Sequence, residues 1–222
     1  MSLRTETPSY QDGLKELQGN LSNMLPGEAL AIFEEDATAL EAQHQDILKL
    51  SKGDLAPNFI LNNAVGETIQ LNNLLQEGKV VLVFYRGSWC PYCNLQLKQY
   101  QQVLDRMEDL GAQLVAVSPQ TPDESLNLKE KNELDFQVLS DPANLVARKY
   151  TSVFRNADKP VKAMADLGID FNSYYSDDSQ ELPVPAVFII EKDGKVSFTR
   201  ATGGDYRNRV EPSEIIDELA KS

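Results

Sequence analysis

The sequence predicts an α/β protein, a central mixed β-sheet flanked by helices and preceded by a helical extension. Three observations carry this. Runs rich in β-branched and aromatic residues at 80–85, 112–117 and 186–190 have the length of buried strands. Segments with apolar residues three or four apart separate them, and this alternation implies parallel crossovers with helices on both faces. Asp193-Gly194 then joins two runs as a two-residue hairpin, which adds an antiparallel portion.

In chain order, residues 1–50 form the helical extension and 51–222 the main domain. Leu14, Leu17, Leu21 and Leu25 lie at helical spacing up to the Pro26-Gly27 break, and Leu30, Phe33, Ala37, Leu40, His44, Ile47 and Leu48 continue as a second helix. His44 falls on the apolar stripe and reads as a packed residue rather than a ligand or base. The apolar faces need a cover. Either the main domain supplies it or the same helices of a second copy do, giving a homodimer; the pattern leaves both open.

Ser51 to Asp54 is a hinge, Leu55 to Leu61 a short strand, and Asn62 to Glu67 a turn. Leu71, Leu74 and Leu75 then point inward before the central strand Val80 to Tyr85. Leu97, Tyr100, Leu104, Met107 and Leu110 predict one helix from Asn94 to about Leu110, followed by a buried strand from Ala112 to Val117. Thr121, Pro122 and Glu124 have the spacing of a capping box with proline at the first helical position. Phe136 to Leu139 is a strand, after which Asp141-Pro142 opens a helix running to about Phe154. Val161, Met164, Ala165 and Leu167 predict another short helix. The polar stretch from Asn172 is a loop, in which Tyr174 and Tyr175 could rim a site. Pro185 begins the strand from Ala186, and a cis peptide before it would bring backbone beside another loop. Val196 to Arg200 is the hairpin's second strand, Ala201 to Tyr206 a loop with two glycines, and Pro212 to Leu219 a helix with Ile215, Ile216 and Leu219 inward.

The chain is 41% hydrophobic and 25% charged with a formal charge of -13, which describes a globular protein ill-suited to nucleic acid or an anionic membrane. The first residues carry no apolar segment of a secretory signal, and all apolar runs are strand-sized, so the expectation is a cytoplasmic protein. Its 2 cysteines, Cys90 and Cys93, form one Cys-x-x-Cys pair and cannot staple a secreted scaffold.

That pair carries the chemistry. It lies where the central strand gives way to a helix, and unpaired first-turn amides with the aligned peptide dipoles favour a thiolate there. The second sulfur can resolve a mixed disulfide or sulfenic acid on the first, so the pattern reads as a redox motif. Structural zinc needs four ligands, and only His44 is available besides these thiols. Two inert buried thiols are the other bland reading, but Trp89-Cys90-Pro91-Tyr92-Cys93 is poor core material.

With those residues in view, the chain from about Leu55 to Leu219 resembles the thioredoxin-fold superfamily, and within it the peroxiredoxin-like branch of alkyl hydroperoxide reductase and thiol-specific antioxidant proteins. Leu55 to Leu61 with Gly66 resembles the opening hairpin of that branch, and Phe84-Tyr85 its strand before the active loop. Val184-Pro185 sits where thioredoxin-like proteins place their cis-proline. The resemblance implies an antioxidant oxidoreductase that reduces peroxides or disulfides without a bound cofactor. An external thiol such as a thioredoxin, a glutaredoxin or glutathione would restore it. Against thioredoxins, Cys90 attacks and Cys93 resolves. Against peroxiredoxins, whose loop runs proline, three residues, threonine or serine, two residues, cysteine, the register falls on Arg86, Cys90 and Cys93, and Cys93 attacks. Arg86 replaces the family proline and Cys90 its hydroxyl residue, so that apparatus does not transfer intact. Arg86 and Arg200 are the candidate cations for a thiolate, Arg200 taking the place of a peroxiredoxin's later arginine. Tyr85, Trp89, Pro91, Tyr92, Val184 and Pro185 would rim or support the site. Asp205, Tyr206 and Arg209 are candidates by their place in or beside the glycine loop. A non-enzymatic, redox-sensing or partner-binding protein is the remaining alternative.

Overall fold

A computed structural model describes residues 7–221. Its centre is β3 (Lys79–Phe84), whose side chains alternate between two cores. Val81, Val83 and Tyr85 join Leu97, Tyr100 and Ile215 on one face, while Val80, Leu82 and Phe84 join Leu71, Leu75, Tyr150 and Phe188 on the other. Each such side chain contributes about 1.5–3 kcal/mol on burial. This two-sided burial explains why the run lacks polar alternation.

β3 pairs in parallel with β4 (Ala112–Ser118), which pairs in parallel with β5 (Gln137–Ser140). On its other edge it pairs antiparallel with β8 (Ala186–Ile190), followed by β9 (Val196–Ala201). Beyond β5 lie β1 (Ile60–Asn63) and β2 (Thr68–Gln70), giving a 7-stranded mixed sheet in the order β2-β1-β5-β4-β3-β8-β9. Helices α4 (Pro91–Gln102), α5 (Leu104–Asp109) and α8 (Pro212–Leu219) bury Leu97, Met107 and Ile215 in one core; α3 (Leu71–Glu77) buries Leu71 and Leu75 in the other.

Helix α1 (Tyr10–Met24) packs on α4, and α2 (Gly27–Gln43) packs on α7 (Asp158–Asp166), so both extension helices seat on the chain's own body. Tyr10 Oη donates to Arg207 O at 2.6 Å, and Glu211 accepts from the Tyr10 amide at 2.6 Å. Gly13 lets α1 and α4 approach closely, since a Cβ there would fall 2.7 Å from Gln99 Nε2 and 2.9 Å from Leu95 Cδ1 and push those side chains aside. Leu14 is buried, whereas Leu21 and Leu25 stay half-buried and face a cavity. His44 ends α2 with its ring centroid 5.5 Å from that of Phe154.

Several expected elements differ. The single helix from Asn94 divides at Val103, whose amide bonds to Tyr100 O, three residues back, at 3.1 Å; this tighter turn keeps both Leu104 and Met107 buried. The expected helix from Asp141 to Phe154 is two short 3₁₀ turns at Pro142–Asn144 and Ala147–Lys149, then β6 (Val153–Arg155). Ala143 and Asn144 at φ 57° and 55° break the helix, and the Asp141 carboxylate accepts from the amides of Val146 and Ala147 instead. β6 pairs with β7 (Glu181–Pro183), a ribbon the periodicity did not announce.

Thr121 caps α6 (Pro122–Lys131) without a side-chain bond; its own amide, which Glu124 would need, already donates to Tyr174 O at 3.1 Å. The hairpin turn is one residue longer than expected. Glu191 N bonds to Lys195 O and Gly194 N to Glu191 O, both at 2.8 Å, and only Gly194 takes positive φ (82°). The opening strand starts at Ile60, with Leu55 making one bridge to Lys195. The Val184–Pro185 peptide is trans: Val184 N donates to Ser152 O at 2.8 Å and Val184 O accepts from Thr151 Oγ1 at 2.9 Å, which holds Val184 extended against residues 151–152. Among the described residues, no helix is long and apolar enough to cross a membrane.

Candidate active site

Pro91, pre-set for the first helical position, starts α4 three residues earlier than the apolar spacing alone suggests. Cys90 is therefore the N-cap residue and Cys93 lies in the first turn; both thiols are buried and unbridged. The preceding loop is clamped. Gln120 bonds the Ser88 amide and its Oγ at 2.8 Å each, Asn94 Nδ2 donates to Ser88 O at 2.8 Å, and Trp89 Nε1 donates to Tyr175 Oη at 2.7 Å. A Cβ on Gly87 would lie 2.6 Å from Trp89 Nε1, so a side chain there would push the Trp89 ring off its bond to Tyr175.

Arg209 Nη2 donates to Cys93 Sγ at 3.4 Å, with the Cys90 thiol and the Arg86 backbone amide as its other polar neighbours. Burial alone would push the Cys93 thiol up, but the Cys90 bond, the Arg209 guanidinium and the Arg86 amide outweigh it and hold Cys93 well below the ordinary thiol range. Cys90 moves the opposite way, raised by burial and by donating to its negatively charged neighbour, with Arg86 and Arg209 only partly opposing. The two titrations are coupled, and the negative charge is favoured on Cys93 over Cys90. Arg209, 3% exposed, is itself held by the carbonyls of Tyr206 and Asn208, and Tyr100 Oη fixes the adjoining Val210 O at 2.9 Å.

Of the expected site residues, Arg86 is buried over the Tyr206 ring, 3.9 Å from its centroid, and donates to Asn156 Oδ1 at 3.2 Å. Trp89 stacks edge-on against Phe171 and Tyr92 leans on Tyr206, with Val184 in the same apolar cluster. Tyr85 is buried beneath the cysteines, and Pro185 precedes β8. Tyr175 reaches the loop, its hydroxyl donating to Arg86 O at 3.1 Å, whereas Tyr174 contributes its backbone to Thr121. Arg200 does not come to the thiols. It sits on the edge strand β9, 56% exposed, in an ion pair with Glu214 at 3.5 Å.

The Asp205 carboxylate accepts from Arg207 instead, and the Asp205 backbone amide donates to Glu41 Oε2. Arg209 had only its neighbourhood to the glycine loop to mark it. Gly203 and Gly204 are the signal that could have ranked it higher: a Cβ on Gly204 would lie 2.1 Å from Leu40 O, so this loop must press against α2 before it turns to the sulfur. Asn156 and Gln120 carried no sequence signal.

A model of the AhpC/TSA family matches residues 52–199, two thirds of the sequence. The chain belongs to the AhpC/TSA family. A Buchnera aphidicola protein assigned as peroxiredoxin bcp is 33% identical over 101 residues, 46% of this chain and 63% of that protein. Chloroplastic peroxiredoxin Q of Oryza sativa subsp. japonica is 26% identical over 78% of this chain and 66% of its own length. The chain therefore spans somewhat under two thirds of the lengths of these AhpC/TSA relatives. In fold, it is similar to peroxidoxin BcpB of Mycobacterium tuberculosis, with TM-score 0.60 and 20% identity over 78% of this chain and 97% of that one. A PrxQ mutant of Xylella fastidiosa gives TM-score 0.61 and 14% identity over 78% and 96%. The thioredoxin-like fold and the peroxiredoxin-like character of the chain follow. The family match begins at residue 52, so α1 and α2 lie outside it.

Proposed function

We propose that this AhpC/TSA-family chain is a thiol-dependent peroxidase in which Cys93 attacks the peroxide. The observation that carries the reading is the buried Arg209 guanidinium 3.4 Å from Cys93 Sγ. Cys93 thiolate attacks one peroxide oxygen and the O–O bond breaks. The leaving alkoxide or hydroxide takes a proton and departs as alcohol or water, and Cys93 becomes a sulfenic acid. The Cys90 thiol then attacks that sulfur, releasing water and closing the Cys90–Cys93 disulfide. Two electrons from an external dithiol, or from two thiols such as glutathione, reopen it. Arg209 stabilises charge at the sulfur and on the departing oxygen, and Arg86 adds positive potential beside Cys90. A reducing compartment such as the cytoplasm suits this cycle, and a homodimer is compatible with it.

Mass spectrometry after one equivalent of peroxide tests the assignment. Cys90→Ser should accumulate sulfenic acid on Cys93, and Cys93→Ser should leave Cys90 unoxidised; the reverse pattern would establish Cys90 as the attacking sulfur. A second reading, disulfide reductase, is favoured by one observation: Cys90, not Cys93, lines the cavity beside the site. Insulin reduction faster than peroxide turnover, lost in Cys90→Ser, would support it.

A further inference from the structure

Beside the cysteines lies a cavity of about 710 Å³, within the range of roughly 300–1,000 Å³ typical of small-molecule sites. Its walls are mostly apolar, and about half of the residues that line it lie outside the family-matched segment. Leu21, Leu25, Leu30 and Phe33 of α1, α2 and their connection face Met164 and Leu167 across it. Exposure falls along it from the outer residues Ser22, Ala31 and Glu34 to Cys90, Arg86 and Asn156, which are 1%, 3% and 1% exposed. At that buried end the donors Arg86 Nε and Asn156 Nδ2 have no hydrogen-bond partner among the described residues, and neither has Asp36 Oδ2, an acceptor in the same cavity wall. Two unpaired buried donors beside an apolar chamber are costly unless an acceptor joins them.

Resting on the peroxidase reading above, we propose that the two N-terminal helices build a substrate pocket for organic hydroperoxides with a bulky apolar body, and that they set the enzyme's preference for these over hydrogen peroxide. The apolar body lies against Leu21, Leu25, Leu30 and Phe33. The peroxide oxygens accept from Arg86 Nε and Asn156 Nδ2 at the end lined by Cys90, next to Cys93 in the first turn of α4, whose thiolate attacks one of them as the O–O bond breaks. Hydrogen peroxide satisfies the donors but leaves the apolar walls uncovered. The electron balance is that of the peroxidase cycle, with the alcohol as leaving group.

Trp89 is the protein's 1 tryptophan and lines this cavity, so its emission reports occupancy without any turnover. Reduced protein is titrated with cumyl alcohol, an unreactive analogue of cumene hydroperoxide, and kcat/KM is measured for cumene hydroperoxide and for hydrogen peroxide. Two variants narrow the chamber from exposed positions that the core does not need, Ala31→Phe and Ser22→Phe. Saturable binding is expected for the parent protein. Each variant should weaken it about tenfold and lower the cumene-to-hydrogen peroxide ratio similarly, with the hydrogen peroxide rate unchanged. Absence of saturable binding, or equal loss on both peroxides, would overturn the pocket. Saturable binding that both variants weaken, in a protein that reduces neither peroxide, would support an apolar-ligand site and overturn the peroxidase reading instead.

Discussion

The opposed displacements of the two thiols have a thermodynamic signature. In the unfolded chain both cysteines titrate near 8.5. In the folded protein Cys93 is ionised well below that value, while Cys90 stays protonated well above it. Below about 8.5 the unfolded state therefore holds about two protons against one in the native pair, so stability rises with pH. Above it, the unfolded state holds none against one, so stability falls. Cys93, whose folded value is depressed, supplies the rising arm, present above the ordinary thiol value and lost as pH falls. Cys90, whose folded value is raised, supplies the falling arm. One proton corresponds to about 1.4 kcal/mol per pH unit, and allowing for gradual titration of the unfolded thiols the rise from neutral pH to the maximum is about 1 kcal/mol. The assay is urea unfolding across this range under a phosphine reductant, with the stability of the Cys90→Ser/Cys93→Ser double variant subtracted to remove all other titrations. A difference curve without a maximum near the ordinary thiol pKa would refute the assignment. Of the single variants, Cys90→Ser should keep the rising arm and Cys93→Ser lose it.

Arg209→Met removes the guanidinium 3.4 Å from Cys93 Sγ, so the thiolate absorbance at neutral pH should fall and peroxide turnover drop about 10²-fold, with folding retained by circular dichroism. Arg200→Ala breaks only an exposed ion pair, so turnover should stay within about twofold and stability within about 1 kcal/mol; a large loss of rate would restore Arg200 to the site. Gly204→Ala forces a Cβ to 2.1 Å from Leu40 O, and the overpacking should cost about 3 kcal/mol in thermal or urea unfolding.

How far the sequence could be read depended on where each structural cause lay. The strands were legible because β3, β4 and β8 are buried on both faces and composition alone marks such runs. Cys90 and Cys93 were legible because their spacing and the following helix are local. The Asp141 helix failed because its aspartate caps amides five and six residues on, a choice made by the pairing of β6 with β7. Choosing between Arg200 and Arg209 failed for a similar reason: Arg209 reaches its sulfur only through a loop whose path is set by contact with α2. The cavity could not be foreseen either, since Leu21 and Leu25 obey the same helical spacing whether they meet a core or an empty chamber.

Arg209 follows Cys93 by 116 residues. A ribosome adding roughly 5–20 residues per second delivers the two about 6–23 s apart. During that interval the nascent cysteines lack the guanidinium that stabilises the charged sulfur, so they emerge as ordinary, mostly protonated thiols. Under the proposed peroxidase cycle, reactivity is switched on by completion of the fold rather than by synthesis of the motif, and an unfinished chain is thereby spared oxidation at those cysteines.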